Sequence, residues 1–220
     1  MVVPAIEPRE VSDLRDLLHI VPPPVRPGGI PLAGWERLAV VLQTLQHEEP
    51  AVLAVEFLDR PPLSIDWSRG YFWWDVPVGT AAFAPRISRL RMARGVRLPH
   101  VLEDPNDIPQ LVWLIGQSAF DGGTAWWATA GARYTLDRWP DLGSLPHSPE
   151  QMRMTALLGT DAFTVADLAA AAGVTETEAQ RLITALDLLG LLGVREGEPL
   201  RRPRRASGGL FARLRTRFGD

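Results

Sequence analysis

Residues 163–194 read FTVADLAAAAGVTETEAQRLITALDLLGLLGV, and two helix starts stand out within them. Thr164, with Asp167 three positions on, has nearly the form of a capping box, in which a hydroxyl and a carboxylate satisfy the first free amides of a helix; Asp stands where Glu or Gln is usual. Thr175-Glu176-Thr177-Glu178 then gives the full pattern. Between them the Ala-rich run 168–172 predicts a short helix, and Gly173 supplies the permissive backbone of a tight helix-to-helix turn. Ala179, Leu182, Ile183 and Leu186 recur at helical spacing and predict a second helix with an apolar stripe. Residues 191–194, the turn at Glu196-Gly197 and Leu200 predict a small wing.

This arrangement resembles the helix-turn-helix or winged-helix module of bacterial regulators over about residues 149–200, a likeness of topology without residue-specific signature. The resemblance implies that the second helix, 175–189, enters a DNA major groove, with Thr177, Gln180, Arg181 and Thr184 as its reading residues. The charge of that helix argues the other way. Glu176, Glu178 and Asp187 stand against Arg181 alone, whereas a groove-inserted helix faces phosphates on both sides. Reuse of the module for protein contact or packing is therefore the expectation, with DNA binding as the alternative.

Upstream, residues 10–19 predict a short helix, and 21–31, with five Pro and two Gly, an extended linker. Trp35, Leu38, Ala39, Leu42 and Leu45 predict a helix over 33–47 that Pro50 ends. The pattern then turns to strands. Residues 51–58 read as one strand, and 63–67 and 71–74 as a hairpin about Ser68-Arg69-Gly70. Residues 86–98 read as an Arg-rich strand, 108–120 as a helix, and 126–130 with 134–139 as a last hairpin through Gly131. All eight Trp fall between Trp35 and Trp139. Their concentration predicts an α+β domain over 1–145, a winged-helix-like module over 146–200 after the connector 140–149, and a basic tail over 201–220.

The chain has 220 residues, 46% of them hydrophobic and 22% charged, which is ordinary globular composition. Without Cys there are no disulfides, thiolate metal sites or cysteine nucleophiles, and oxidising and reducing compartments are equally allowed. No stretch is long and apolar enough for a transmembrane helix, and the N-terminus lacks the basic head and apolar centre of a secretory signal, so a cytoplasmic location is expected. All 23 basic residues are Arg, a bias that GC-rich codon usage accounts for.

Charge is unevenly spread. Residues 201–220 carry seven Arg and one Asp, a net +6 that leaves −9 on the preceding 200 residues of a chain totalling −3. After the cluster 201–205 and Ser207-Gly208-Gly209, the residues Leu210, Phe211, Leu214 and Phe218 fall on one helical face with Arg213, Arg215 and Arg217 beside or opposite them. Such a segment fits a partner's groove or an anionic membrane surface. The plain alternative is a solubilising tail.

No catalytic motif is legible. His19, His47, His100 and His147 lack metal-ligand spacing, and there is no nucleophile elbow, phosphate loop or dinucleotide fingerprint. No metal or cofactor is expected. Asp66, Asp75, Asp121 and Asp137 read as turn or surface carboxylates. Trp67, Arg69, Trp73, Arg89 and Arg91 form the candidate surface for a partner or an anionic ligand, for which a cyclic dinucleotide stacked between Arg and aromatic rings is a reading ranked below DNA binding, as is an enzyme of unrecognised type. Ranked first is a non-enzymatic regulatory or adaptor protein acting through protein-protein contacts.

Overall fold

The computed structural model describes residues 18–25, 31–46, 51–78, 85–94, 104–125, 127–129 and 131–195. Their fold is mixed α and β. A six-stranded antiparallel sheet has the order β1-β5-β2-β3-β4-β6, built from β1 (His19–Ile20), β2 (Ala51–Phe57), β3 (Leu63–Asp66), β4 (Tyr71–Trp73), β5 (Ile87–Arg94) and β6 (Asn106–Asp107). Alternation sets its two faces. The register Leu53↔Ile65↔Phe72 and Leu63↔Val55↔Leu90 sends these side chains to one side. There they meet Leu38, Leu42 and Leu45 of α1 (Gly34–Leu45) and Leu111 and Ile115 of α2 (Ile108–Ser118), forming one buried core.

The hairpin between β3 and β4 turns on Asp66. Its buried carboxylate accepts from Ser68 Oγ at 2.6 Å and from the Arg69 amide at 3.2 Å, and Gly70 takes φ +77°. A short polar side chain that bonds backbone two or three residues on is what fixes such a turn.

The C-terminal part comprises α3 (Pro149–Leu158), α4 (Val165–Ala172) and α5 (Glu176–Leu188), followed by β8 (Leu192–Arg195). The caps follow the side chains. Thr175 and Glu178 form a complete box, as do Ser148 and Gln151, whereas Thr164 accepts from the Asp167 amide without a return bond. Asp is one methylene shorter than Glu, which accounts for the missing half. Gly173 closes α4 at φ +68°.

One expectation changes. The hairpin of 126–130 with 134–139 does not form: residues 127–129 are not strand, and β7 (Arg133–Leu136) pairs antiparallel with β8. The other edge of β7 is closed by Phe163, whose amide donates to Tyr134 O at 2.9 Å while Tyr134 N donates to Phe163 O at 2.8 Å. The described residues of 21–31, read as an extended linker, hold no helix and only the isolated bridge of Val25 with Pro31, and they lie against the rest of the fold. Val21 N donates to Leu90 O, Leu32 N to Pro24 O, and Val25 bridges Pro31. Of the helix expected over 10–19, residues 10–17 lie outside the described residues and His19 is in β1. Residues 26–30, 95–98, 126, 130 and 196–200, on which parts of other expectations fall, are also outside them, as is the tail 201–220.

The helix α5 runs through the middle of this arrangement. Leu182, Ile183 and Leu186 lie in a second core with Met154, Leu158 and Leu168, while Leu188 belongs to the core under the sheet. Trp113 of α2 also reaches the second core, and its Nε1 donates to Pro146 O at 2.7 Å. Gly116 of α2 and Ala185 of α5 lie so close that a Cβ on Gly116 would sit 2.3 Å from the Ala185 Cα. Gln46, at the end of α1, donates to the carbonyls of Asp187, at 2.9 Å, and Leu188.

Candidate functional site

The four residues expected to read DNA sit on a helix that the rest of the molecule encloses. Gln180 and Thr184 are 5% and 3% exposed and bond to each other, Gln180 Nε2 donating to Thr184 Oγ1 at 3.3 Å. Thr184 Oγ1 in turn donates to the Gln180 carbonyl at 2.9 Å. Arg181 Nη2 pairs with Asp121 Oδ1 at 3.0 Å, and the Thr177 methyl packs on Gly122. Residues 177, 181 and 185 share one face by the i, i+4 rule, and that face rests on α2 and the turn after it. The exposed remainder of α5 is its first turn, Glu176, Thr177 and Glu178. Hydrogen bonds from Thr175, first through its backbone and then its side chain, lower the Glu178 carboxyl below its ordinary range. Buried as they are, Gln180 and Thr184 are out of reach of a DNA groove unless the elements packed on α5 move away.

The aromatic and Arg surface is partly assembled. Register places Trp73 opposite Ser64, Ser64 opposite Ala54, and Ala54 opposite Arg91, while Glu56 faces Arg89, so Trp73, Arg89 and Arg91 share the sheet face turned away from α1 and α2. Both guanidinium groups lean on one carboxylate, Arg89 at 3.6 Å and Arg91 at 3.8 Å from Glu56. Arg69 stays at the hairpin, 3.9 Å from Asp66. Trp67 is elsewhere. It packs against the core on the helix side and lines a groove with Ile108 and Leu188.

A different surface stands out in three dimensions. Beyond β7 the ladder continues with Asp137 N donating to Leu191 O, and the chain then presents Trp139, 62% exposed, beside a groove of about 460 Å³. Pro109, Leu145, Leu189 and Leu191 supply its apolar lining. The loop is held from both ends: Asp141 Oδ1 accepts from the Gly143 amide, and Trp113 grips Pro146 O. The Trp139 ring lies on Gly159, where a Cβ would come within 2.9 Å of Cζ2. From there the outer face of α3 continues through Ala156 to Met152, 48% exposed, over a shallow hollow of about 590 Å³. Exposed large apolar side chains in a contiguous run mark docking surfaces more than single ones do.

The charges around this run are mostly acidic. Asp107, Asp137 and Asp141 are exposed and form no ion pair among the described residues, and Arg138 between them forms none either. Arg153 on α3 is engaged, donating to Ala172 O at 2.7 Å with Glu150 3.8 Å away. The sequence carried the signal in part: Trp139 was legible as an aromatic residue before a Pro-rich stretch, but its assignment to a hairpin hid its exposure.

Two buried groups complete the electrostatics. The Arg37 side chain in α1 donates to Val21 O at 2.7 Å, and burial lowers its pKa. Tyr134 is raised, first by burial and then by Asp187, whose carboxylate accepts from Trp127 Nε1 at 2.7 Å. Among the described residues no three metal-ligating side chains gather, and no helix is long and apolar enough to cross a membrane. No family model, curated protein or solved structure matches the chain.

Proposed function

We infer that the protein is a non-enzymatic regulatory or adaptor protein that works through protein-protein contact. In this reading α3, α4 and α5 with β8 form a winged-helix-like unit reused as a scaffold. The observation that carries it is the enclosure of α5: Gln180 and Thr184 are buried and Arg181 pairs with Asp121, while Trp139 beside the unit and Met152 on its α3 stay exposed. A DNA reader needs the reverse, with a free helix lined by Arg, Asn or Gln. Docking energy concentrates in a few exposed aromatic and apolar anchors, and the exposure of Trp139 and Met152 supports reading the contact there.

The test is capture of partners by the full-length chain, compared with a Trp139→Ser/Met152→Ser variant checked for folding by circular dichroism. A partner held through this surface should bind at least about tenfold more weakly to the variant, the loss expected for one central anchor. Equal capture by both would remove the assignment. A Gln180-dependent mobility shift on duplex DNA at physiological salt would replace it with the DNA reading.

A further inference from the structure

The run from Met152 to the Trp139 groove has a chemically matched occupant within the same chain. We propose that the C-terminal segment 210–218 docks there as a helix, with Leu210, Phe211, Leu214 and Phe218 against Trp139, Ala156 and Met152 and its arginines among Asp107, Asp137 and Asp141. The inference rests on reading this run as a protein-docking surface and names what occupies it when no partner is bound.

Three observations converge. The first is charge. Asp107 and Asp141 line the groove and Asp137 is exposed next to it in the chain; none of the three, nor Arg138, forms an ion pair among the described residues, and the segment 201–220 brings seven Arg and one Asp. The body at −9 and the tail at +6 attract as wholes before any local contact. The second is shape. An amphipathic helix in a groove is read through anchors at i, i+4 and i+8, and Leu214 and Phe218 follow Leu210 at that spacing. The target is itself a helix face, with Met152 and Ala156 four residues apart and Trp139 lying over Gly159 at the next turn. Two helices packed this way bury apolar surface on both that otherwise faces water.

The third is reach. Described structure ends at Arg195, one strand's length from Leu191, which lines the Trp139 groove. Fourteen residues lie between Arg195 and Leu210, and the fifteen Cα-to-Cα steps across them span up to roughly 50 Å. A segment joined to its site through so short a connection is present at an effective concentration of about a millimolar. A contact too weak to matter between separate molecules is then substantially occupied, and a partner must compete with it.

Absence of native Cys makes the test direct. In the full-length chain, Met152→Cys with Leu214→Cys is oxidised at low protein concentration beside a control pair, Ser88→Cys with Leu214→Cys. Ser88 is exposed on β5, four strand spacings or about 19 Å across the sheet from β6, which carries Asp107 of the groove. Docking in cis predicts an intramolecular disulfide that forms at least about tenfold faster for the 152/214 pair. The excess should shrink toward unity at molar salt, where screening acts over about 3 Å. It should also vanish when Leu210 and Phe218 are changed to Ser.

Equal rates for the two pairs, in the absence of added salt, would overturn the proposal. So would a disulfide-linked dimer whose yield rises with concentration, which would send the tail to a second copy. Equal rates combined with loss of partner capture by the Trp139→Ser/Met152→Ser variant would leave the docking surface standing and remove its occupant.

Discussion

Gly116 shows how far one missing methyl group decides the packing. In an exposed helix Gly→Ala gains about 1 kcal/mol of propensity. Here the new Cβ would lie 2.3 Å from a backbone atom, Ala185 Cα, and 2.8 Å from the Ala185 Cβ, so α2 and α5 would have to move apart. Overpacking of that kind costs about 1–3 kcal/mol and exceeds the propensity gain. Gly116→Ala is therefore expected to lower stability in urea unfolding. Adding Ala185→Gly should restore only part of it, because the clash with the backbone at position 185 remains. A more stable Gly116→Ala protein would mean that the two helices do not pack this closely. The need for glycine at 116 was not legible in the sequence, where it reads as one interruption of an apolar run, because the reason for it lies 69 positions downstream. Thr175 and Glu178 were legible, since both halves of their interaction fall within one turn.

At the scale of the element, α5 depends on that cap. Glu178 accepts from the Thr175 amide and hydroxyl, both at 2.8 Å, and its pKa is lowered by these bonds. A folded-state pKa below the unfolded value, about 4.3 for Glu, gives stability that is present above that value and lost as pH falls through the folded one. Glu178→Gln keeps a side chain able to close the box but does not titrate. The stability advantage of the parent over this variant should thus shrink as pH falls below about 4.3 and on through the lowered folded-state value, read from urea midpoints; an advantage that grew on acidification would mean the carboxylate is not held by the cap. The same local logic explains which elements the sequence revealed. Helices α4 and α5 carry their own start and stop signals. So does α3, through Ser148-Pro149-Glu150-Gln151, but the prolines at 140, 146 and 149 made the stretch read as a connector. The partner of β7 was out of reach, because adjacency favours 126–130 whereas the structure uses residues 192–195. Burial of Gln180 and Thr184 had one sign in sequence: Leu182, Ile183, Ala185, Leu186 and Leu188 surround α5 too widely for a one-sided stripe.

Across the whole molecule, the residues on either side of 145 are tied by structure that neither side holds alone. The partner of β8 is β7, the cover of α5 is α2, and Trp113 fills the core between α3 and α5. Gln46 adds a bond from α1 to the C-terminal end of α5. A fragment 146–200 keeps α3, α4 and α5 but leaves one edge of β8 without its ladder, exposes the α5 face at 177, 181 and 185, and removes Trp113, Tyr134 and Leu145 from its core. Losing a large core side chain costs about 3–5 kcal/mol, and a domain of this size holds only about 5–15 kcal/mol in total. Three such losses, together about 9–15 kcal/mol, are comparable to that whole reserve. The fragment is therefore expected to show no cooperative thermal transition by circular dichroism, whereas the full-length chain should unfold with coincident Trp fluorescence and circular dichroism curves. A fragment that melts cooperatively, together with two separated transitions in the parent, would make 146–200 an independent domain and α2 merely its neighbour. In that case α5 could be uncovered without unfolding, and the enclosure of Gln180 and Thr184 would no longer argue against DNA.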